Sequence, residues 1–419
     1  MAKLAINGGK PAVPGGIKWR WPIYDGAEKK ALMEVLKSGR WCSRMNPEGK
    51  VATVEKVFAE LIGTKNCRAV SSGTTALELA IRACDISYGD EVIVPAVTFM
   101  ATATAVITSG AVPIFVDIDP ETYQISPEAI EAAITSRTRA ILPVHYGGYP
   151  ADMDRIMQIA KEHGLIVIED CAEAHGTEWR GKKVGSLGDM GCFSFQMSKP
   201  LTCGEGGAIT YSDETLNVDY FALTRKVKTS QGEKIYYLPS GNWRMSEFTA
   251  AILLAQLTRF EKQTEIKHKN AQYFGQELEK IGGLSPLKRD PRITRQGYFF
   301  YFIKYDSNEW NDVPRDQFME ALRAEGIACG LAHNEPLYKN PFFREIKRSY
   351  LTIDDVDYSE FYCPEAERIY QEEVIAMLHF FLLDKKNVDR ILSALYKLRE
   401  NVDELASLSK VSSLDPQTV

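Results

Sequence analysis

The sequence predicts an α/β fold: a mostly parallel sheet between layers of helix, followed by a smaller C-terminal α+β domain. Three observations predict it. Apolar runs at Glu91–Pro95, Val112–Val116, Ala140–Val144 and Leu165–Ile168 alternate with helical segments at Thr98–Thr108, Pro127–Ile134 and Asp152–Glu162. That rhythm belongs to parallel strands joined by crossover helices. The run Leu165–Ile168 is apolar throughout, as a strand covered on both faces must be. Finally, 419 residues with 45% hydrophobic content can bury a large core and divide into two domains. The expected division is an N-terminal arm (1–25), a large domain (26–265), a small domain (266–401) and a loose tail (402–419).

The first residues, MAKLAINGGKPAVPGG, lack a signal-peptide core, and no apolar stretch approaches the length of a membrane span. A cytoplasmic protein is expected. A net charge of -6 gives no basic surplus for nucleic acid. The eight cysteines show no C-x-x-C spacing and sit mostly in apolar runs, so neither disulfides nor a metal site is expected.

Helices are expected at Ala27–Ser38 and Val51–Ile62, with a loop at Trp41–Pro47 between them. Ser71-Ser72-Gly73-Thr74-Thr75 then leads into a helix through Ala76–Ile81. Small hydroxyls and a glycine at a helix start leave N–H groups free at the positive end of the dipole, which suits a phosphate; a plain N-cap needs only one of them. In parallel sheets the active groups gather at the carboxyl ends of strands. The residues there are Pro95 with Phe99 just beyond, Asp117, His145 and Asp170. No G-x-G-x-x-G follows the first strand, which weakens a nicotinamide-binding reading. Asp170 reads either as an N-cap or as the partner of a protonated ring nitrogen, and His175 as a core residue.

Gly191–Thr210 places Lys199 between two strand-like runs, Cys192–Phe195 and Ala208–Tyr211, beside Gly204-Glu205-Gly206-Gly207. Glycines there mark a tight reversal or a close backbone approach. A lysine held there is either a surface turn residue or a desolvated amine, its pKa drawn down from about 10.4, able to form a Schiff base. A Schiff-base lysine, an acid for a pyridinium, an aromatic ring to stack and a phosphate cradle are together what pyridoxal 5'-phosphate requires.

The segments AVSSGTTALELA, GDEVIVPAVTF, AVPIFVDID, ILPVHYGG, VIEDCAEAHG, SFQMSKPLTCGEGG and GNWRMSEFTAAI resemble, in order, those of the DegT/StrS family of sugar and cyclitol aminotransferases. The resemblance runs from about Leu4 to about Arg399 and implies the type I aminotransferase fold. It implies that Lys199 carries the cofactor as a Schiff base, Asp170 pairs with the pyridine nitrogen and Phe99 stacks on the ring. It also implies that Gly73, Thr74 and Ser194 hold the phosphate. Asn242 would reach the phosphate of a neighbouring subunit, making the protein a homodimer with shared sites. Glu173 lies near the cofactor where many members have glutamine; Pro200 and Tyr338 also depart from the pattern. The Ser-Phe-Gln before the lysine, Arg44-Met45 and Leu378-His379 resemble the branch acting on scyllo-inosose and 2-deoxy-scyllo-inosose with L-glutamine or L-glutamate as donor, a branch that also holds 3-amino-5-hydroxybenzoate synthase. A nucleotide-keto-sugar aminotransferase is the alternative. A catalytically inactive regulatory homologue and another type I activity, such as a desulfurase using Cys203, are more distant ones.

Beyond the lysine, Ser246–Ile281 reads as one long helix crossing between domains. Gly297–Tyr305 reads as an aromatic strand whose run Tyr298–Phe302 is sheet core or, less simply, a stacking platform. Arg315–Gly326 and Asn387–Asn401 read as helices.

Overall fold

The structure, a computed structural model, describes residues 3–412 except 44, 45, 217, 219–225, 229–233, 237–240, 334 and 346–355. The Arg44-Met45 pair and Asn334 therefore lie outside the described residues.

Seven strands make the central sheet: β1 (Asn66–Val70), β2 (Glu91–Pro95), β3 (Val112–Val116), β4 (Thr138–Ile141), β5 (Ile166–Asp170), β6 (Met190–Ser194) and β7 (Gly207–Tyr211), in the order β1-β7-β6-β5-β4-β2-β3. Strands β2 to β6 pair in parallel, while β7 runs antiparallel to both β1 and β6. The sheet is thus mostly parallel, as expected. The edge strand β1 is too short and polar (NCRAV) to stand out in the sequence. Helices α1 (Gly26–Ser38), α2 (Lys50–Ile62), α3 (Gly73–Ala83), α4 (Ala101–Thr108), α5 (Pro127–Ala133) and α6 (Met153–His163) flank it. Helix α4 starts three residues later than Thr98, because Thr98 and Phe99 belong to the loop over the strand ends.

Helix α7 (Glu247–Ile281) has 35 residues, a rod of roughly 52 Å. Its first half buries Ala250, Leu253 and Phe260 with the β6–β7 layer, and its second half buries Ala271, Phe274 and Leu278 in the C-terminal core. That core wraps an antiparallel sheet of β8 (Leu284–Pro286), β9 (Phe300–Tyr305) and β10 (Val374–Leu378), with β9 central. Helices α8 (Arg315–Ala324) and α9 (Lys385–Glu400) cover it.

The expected loose tail is a helix, α10 (Val402–Ser412), for most of its length. Leu405 is fully buried and Glu404 accepts from the Leu4 and Asn7 nitrogens, so the two ends of the chain hold each other. The arm is also pinned to the small domain: buried Glu325 accepts from the N–H of Ala5 at 2.8 Å and of Ala12 at 2.7 Å, and pairs with Lys397 at 2.8 Å. Further on, the Trp21 indole donates to the Met197 carbonyl at 2.7 Å and meets His379 edge-on.

Candidate active site

A cavity of about 430 Å³ opens at the carboxyl ends of β5 and β6, where α3 and the Lys199 loop converge. Gly73, Thr74, Phe99, Asp170, Glu173, Ser194 and Lys199, seven of the eight predicted site residues, line it. Asn242 is exposed and does not line this cavity.

The cradle at one end is set by α3. Ser72 caps the helix reciprocally with Thr75: its hydroxyl accepts from the Thr75 N–H, and the Thr75 hydroxyl accepts from the Ser72 N–H at 3.0 Å. The first N–H groups, those of Gly73 and Thr74, have no carbonyl within the helix to bond. A Cβ on Gly73 would lie 2.6 Å from the Ser194 Cβ, and one on Gly207 would lie 2.2 Å from the Ser72 carbonyl. Both glycines therefore serve close backbone approach, and a side chain at either would push into the cradle. Free N–H groups, two hydroxyls and a positive helix end form a donor set suited to a phosphate.

Asp170 ends β5 and is 5% exposed. Its Oδ2 accepts from the Thr102 hydroxyl at 2.9 Å and its Oδ1 from the Ala172 N–H at 3.1 Å. Burial raises its pKa, opposed by those two bonds. Among the described residues it has no cation bonded to it, so a protonated ring nitrogen in the cavity would complete it. Phe99, 59% exposed, offers a bare ring on the same cavity.

Lys199 follows a turn in which its N–H donates to the Gln196 carbonyl. Its amine donates to Glu173 Oε1 at 3.2 Å and lies 4.0 Å from the centre of the Phe299 ring. Glu173 Oε2 in turn accepts from the Gly147 N–H at 2.9 Å. Burial alone, the basis of the sequence argument, thus omits half the setting, because the amine has a fixed counter-ion. The turn beneath Phe299 is pinned by Lys267, 1% exposed, which donates to the carbonyls of Gly297 and Tyr298 and whose pKa burial draws down to about 7.

Sequence reasoning missed His333, on the opposite wall. Its Nδ1 is 2.7 Å from the Tyr146 hydroxyl, which is 2.5 Å from that of Tyr370. Both phenols are buried, and among the described residues the Tyr146 hydroxyl bridges the His333 ring and Tyr370. Burial lowers the His333 pKa, keeping the ring neutral. The tyrosine that departs from the family pattern, Tyr338, is instead buried against Glu367.

Other strand-end residues are structural. Asp117 caps a short helix by accepting from the Glu365 and Ala366 N–H groups. His145 accepts at Nδ1 from the Ala151 N–H and donates from Nε2 to Glu169 at 2.9 Å. Glu169 also accepts from the N–H groups of Gly185, Leu187 and Gly188, so neither keeps lone pairs for a metal. His175 packs on Phe193 and Phe195, and burial drives its pKa to about 3. Cys203 bonds the Glu205 carbonyl, and burial pushes its thiol up to about 12, unlike a mobile nucleophile. The aromatic run is divided: Phe299 and Phe300 line the cavity, while Tyr301 and Phe302 are sheet core.

A lysine amine, a buried acid, a bare aromatic ring and an anion cradle around one cavity define a pyridoxal-phosphate-dependent aminotransferase of the type I fold. The comparisons place it more narrowly: the DegT/DnrJ/EryC1/StrS aminotransferase family matches residues 22–396, and the chain belongs to that family. It is 37% identical to L-glutamine:scyllo-inosose aminotransferase of Streptomyces griseus over 425 residues, covering 97% of this chain and 99% of the relative. It is 34% identical to L-glutamine:2-deoxy-scyllo-inosose aminotransferase of Streptoalloteichus tenebrarius over 435 residues, 96% of this chain and 99% of the relative. The crystal structure of 3-amino-5-hydroxybenzoic acid synthase superposes with a TM-score of 0.81 at 30% identity, covering 93% of this chain and 98% of that one. No helix among the described residues is long and apolar enough to cross a membrane.

Proposed function

We propose that the protein transfers an amino group from L-glutamine, or L-glutamate, to a keto-cyclitol such as scyllo-inosose or 2-deoxy-scyllo-inosose, acting as a homodimer. Two similar relatives act on those ketones by name, and both align over almost their entire length. Pyridoxal 5'-phosphate supplies an electron sink for charge that develops on the carbon losing or gaining a proton.

In this reading Gly73, Thr74 and Ser194 hold the phosphate and Phe99 stacks on the ring. Asp170, oriented by Thr102, keeps the ring nitrogen protonated. Lys199 is the residue joined to the cofactor; once its amine is free, it carries the proton between the substrate carbon and the cofactor as base and then acid. Glu173 holds that amine in place and fixes it to the Gly147 loop. His333 presents Nε2 to an oxygen of the bound acceptor. Asn242, exposed on its own subunit, reaches the phosphate of the other.

The single observation that carries the reading is the convergence of Lys199, Asp170, Phe99 and the α3 cradle on one cavity. The test is a half-reaction. The protein is converted to its pyridoxamine form and mixed separately with scyllo-inosose, 2-deoxy-scyllo-inosose and 4-keto nucleotide sugars, and the return of aldehyde-form absorbance is followed. Response to the cyclitols is expected; response to the nucleotide sugars alone would replace the acceptor. Absence of any cofactor absorbance that shifts with L-glutamine would favour the inactive regulatory homologue.

A further inference from the structure

A second cavity, of about 260 Å³, backs onto the active site, with Phe300 lining both. It lies between the second half of α7 and the start of the C-terminal sheet. Its floor is the pair Tyr298 and Tyr301, with ring centres 5.8 Å apart and planes inclined by 20°. Tyr301 is 3% exposed and its hydroxyl has no hydrogen-bond partner among the described residues, an expensive state for a buried O–H. Gly275, in the middle of a long helix, faces the same point: a Cβ there would come within 3.1 Å of the Tyr301 hydroxyl. Glycine weakens a helix interior, and here it keeps space open above a polar group left without a partner.

The walls can be assigned donors. His268 Nδ1 accepts from the Gln296 N–H, so its proton is on Nε2 and points at the Gln272 amide, 3.2 Å away. Burial lowers the His268 pKa, consistent with a neutral ring. Gln272, whose Nε2 is the atom 3.2 Å from the histidine, also lines the cavity and brings its amide to it. Arg289, which makes no ion pair among the described residues, and Glu279 also line the cavity, balancing charge.

We propose that this cavity is a second small-molecule site, for a cyclic polyol. The half-buried rings of Tyr298 and Phe300, both lining the cavity, suit the C–H face of a saturated ring. Hydroxyls both donate and accept, as a lining of phenol, amide, guanidinium and carboxylate requires. A carboxylate ligand would meet Glu279. The volume is below that of drug-sized pockets and fits one small ring. Its occupant touches Tyr298 and Phe300, the residues on either side of the ring that lies over Lys199. The inference does not depend on which ketone the active site takes.

The test titrates myo-inositol into the cofactor-loaded, full-length protein by ligand-observed NMR. Saturable binding is expected, weakened at least about tenfold by Tyr301→Phe, the size of one lost hydrogen bond to a buried group. His333→Ala, on the active-site wall, leaves it unchanged. Tyr301→Phe folds at least as stably as the parent, since it removes an unpartnered hydroxyl, and a thermal melt checks this. Gly275→Ala, which puts a methyl against that hydroxyl, also weakens binding. No saturable binding, or binding lost with His333→Ala and kept with Tyr301→Phe, overturns the proposal. Glutarate binding there in place of myo-inositol overturns the ligand class.

Discussion

Thr102→Val tests how Asp170 is tuned. Valine matches the shape of threonine but cannot donate, so Asp170 Oδ2 loses its 2.9 Å partner while Oδ1 keeps the Ala172 N–H. A hydrogen bond to a charged acceptor contributes about 1.5–3 kcal/mol, or about one to two pKa units. The carboxyl is nearly inaccessible, so solvent screening does not erode that figure. The pKa of Asp170 in the folded chain is already raised by burial, and the substitution raises it further. The sign follows from linkage. An acid whose folded pKa exceeds its unfolded value binds more protons when folded, so stability falls as pH rises from the unfolded value through the folded one. The variant should therefore lose more stability at pH 8 than near pH 4.5, because lowering the pH moves towards the protonated carboxyl, for which only a weaker neutral bond is lost. Thermal melts of the cofactor-free protein at the two pH values measure the difference. Equal destabilisation at both would refute the assignment of Asp170 as a charge held by Thr102.

Further outcomes are expected. Lys199→Ala abolishes turnover while the protein stays folded, and wild-type rates in that variant would exclude it as the cofactor lysine. Asn242→Ala weakens cofactor retention; mixed dimers with Lys199→Ala should regain activity only in the pairing that leaves one intact composite site, measured by co-expression and assay. Tyr146→Phe frees His333 Nδ1 and lowers acceptor kcat/KM by roughly tenfold, the scale of one hydrogen bond, with the glutamine half-reaction little changed. Lys267 binds its proton more weakly folded (about 7) than unfolded, so stability rises with pH from about 7 to about 10.4, by at most about 1.4 kcal/mol per unit. Lys267→Met should flatten that rise in denaturant titrations at pH 7 and pH 9.

The sheet was legible because β2, β3 and β5 are largely apolar and separated by helices, a pattern written in neighbouring residues; β4 (Thr138–Ile141), with Thr138 and Arg139, begins two residues before the apolar run expected at Ala140–Val144. Lys199 and Asp170 were legible for the same reason: each stands next to a strand that announces itself. His333, Tyr146, Tyr370 and Lys267 were not. They come from four distant segments, and their bond partners lie at least thirty residues away in the chain, which local periodicity does not encode. The reading of Glu173 as a departure from a glutamine pattern placed a charge near the cofactor but did not foresee its bond to Lys199. The tail misled because its serines and late proline suggested disorder, whereas Leu405 has a pocket to fill only once the arm is in place.

The attachment of the first thirteen residues has a practical corollary. Glu325 is fully buried, and three of its contacts are the N–H groups of Ala5 and Ala12 and the Lys397 amine. Deleting those residues would leave a buried carboxylate facing one ammonium, with Ile17 on the C-terminal core, Trp19 against Phe380 and the Trp21 bond to Met197 as the remaining attachments of the arm. Shortened versions of this enzyme would then err at the backbone two residues before its reactive amine, although the cut lies at the opposite end of the numbering.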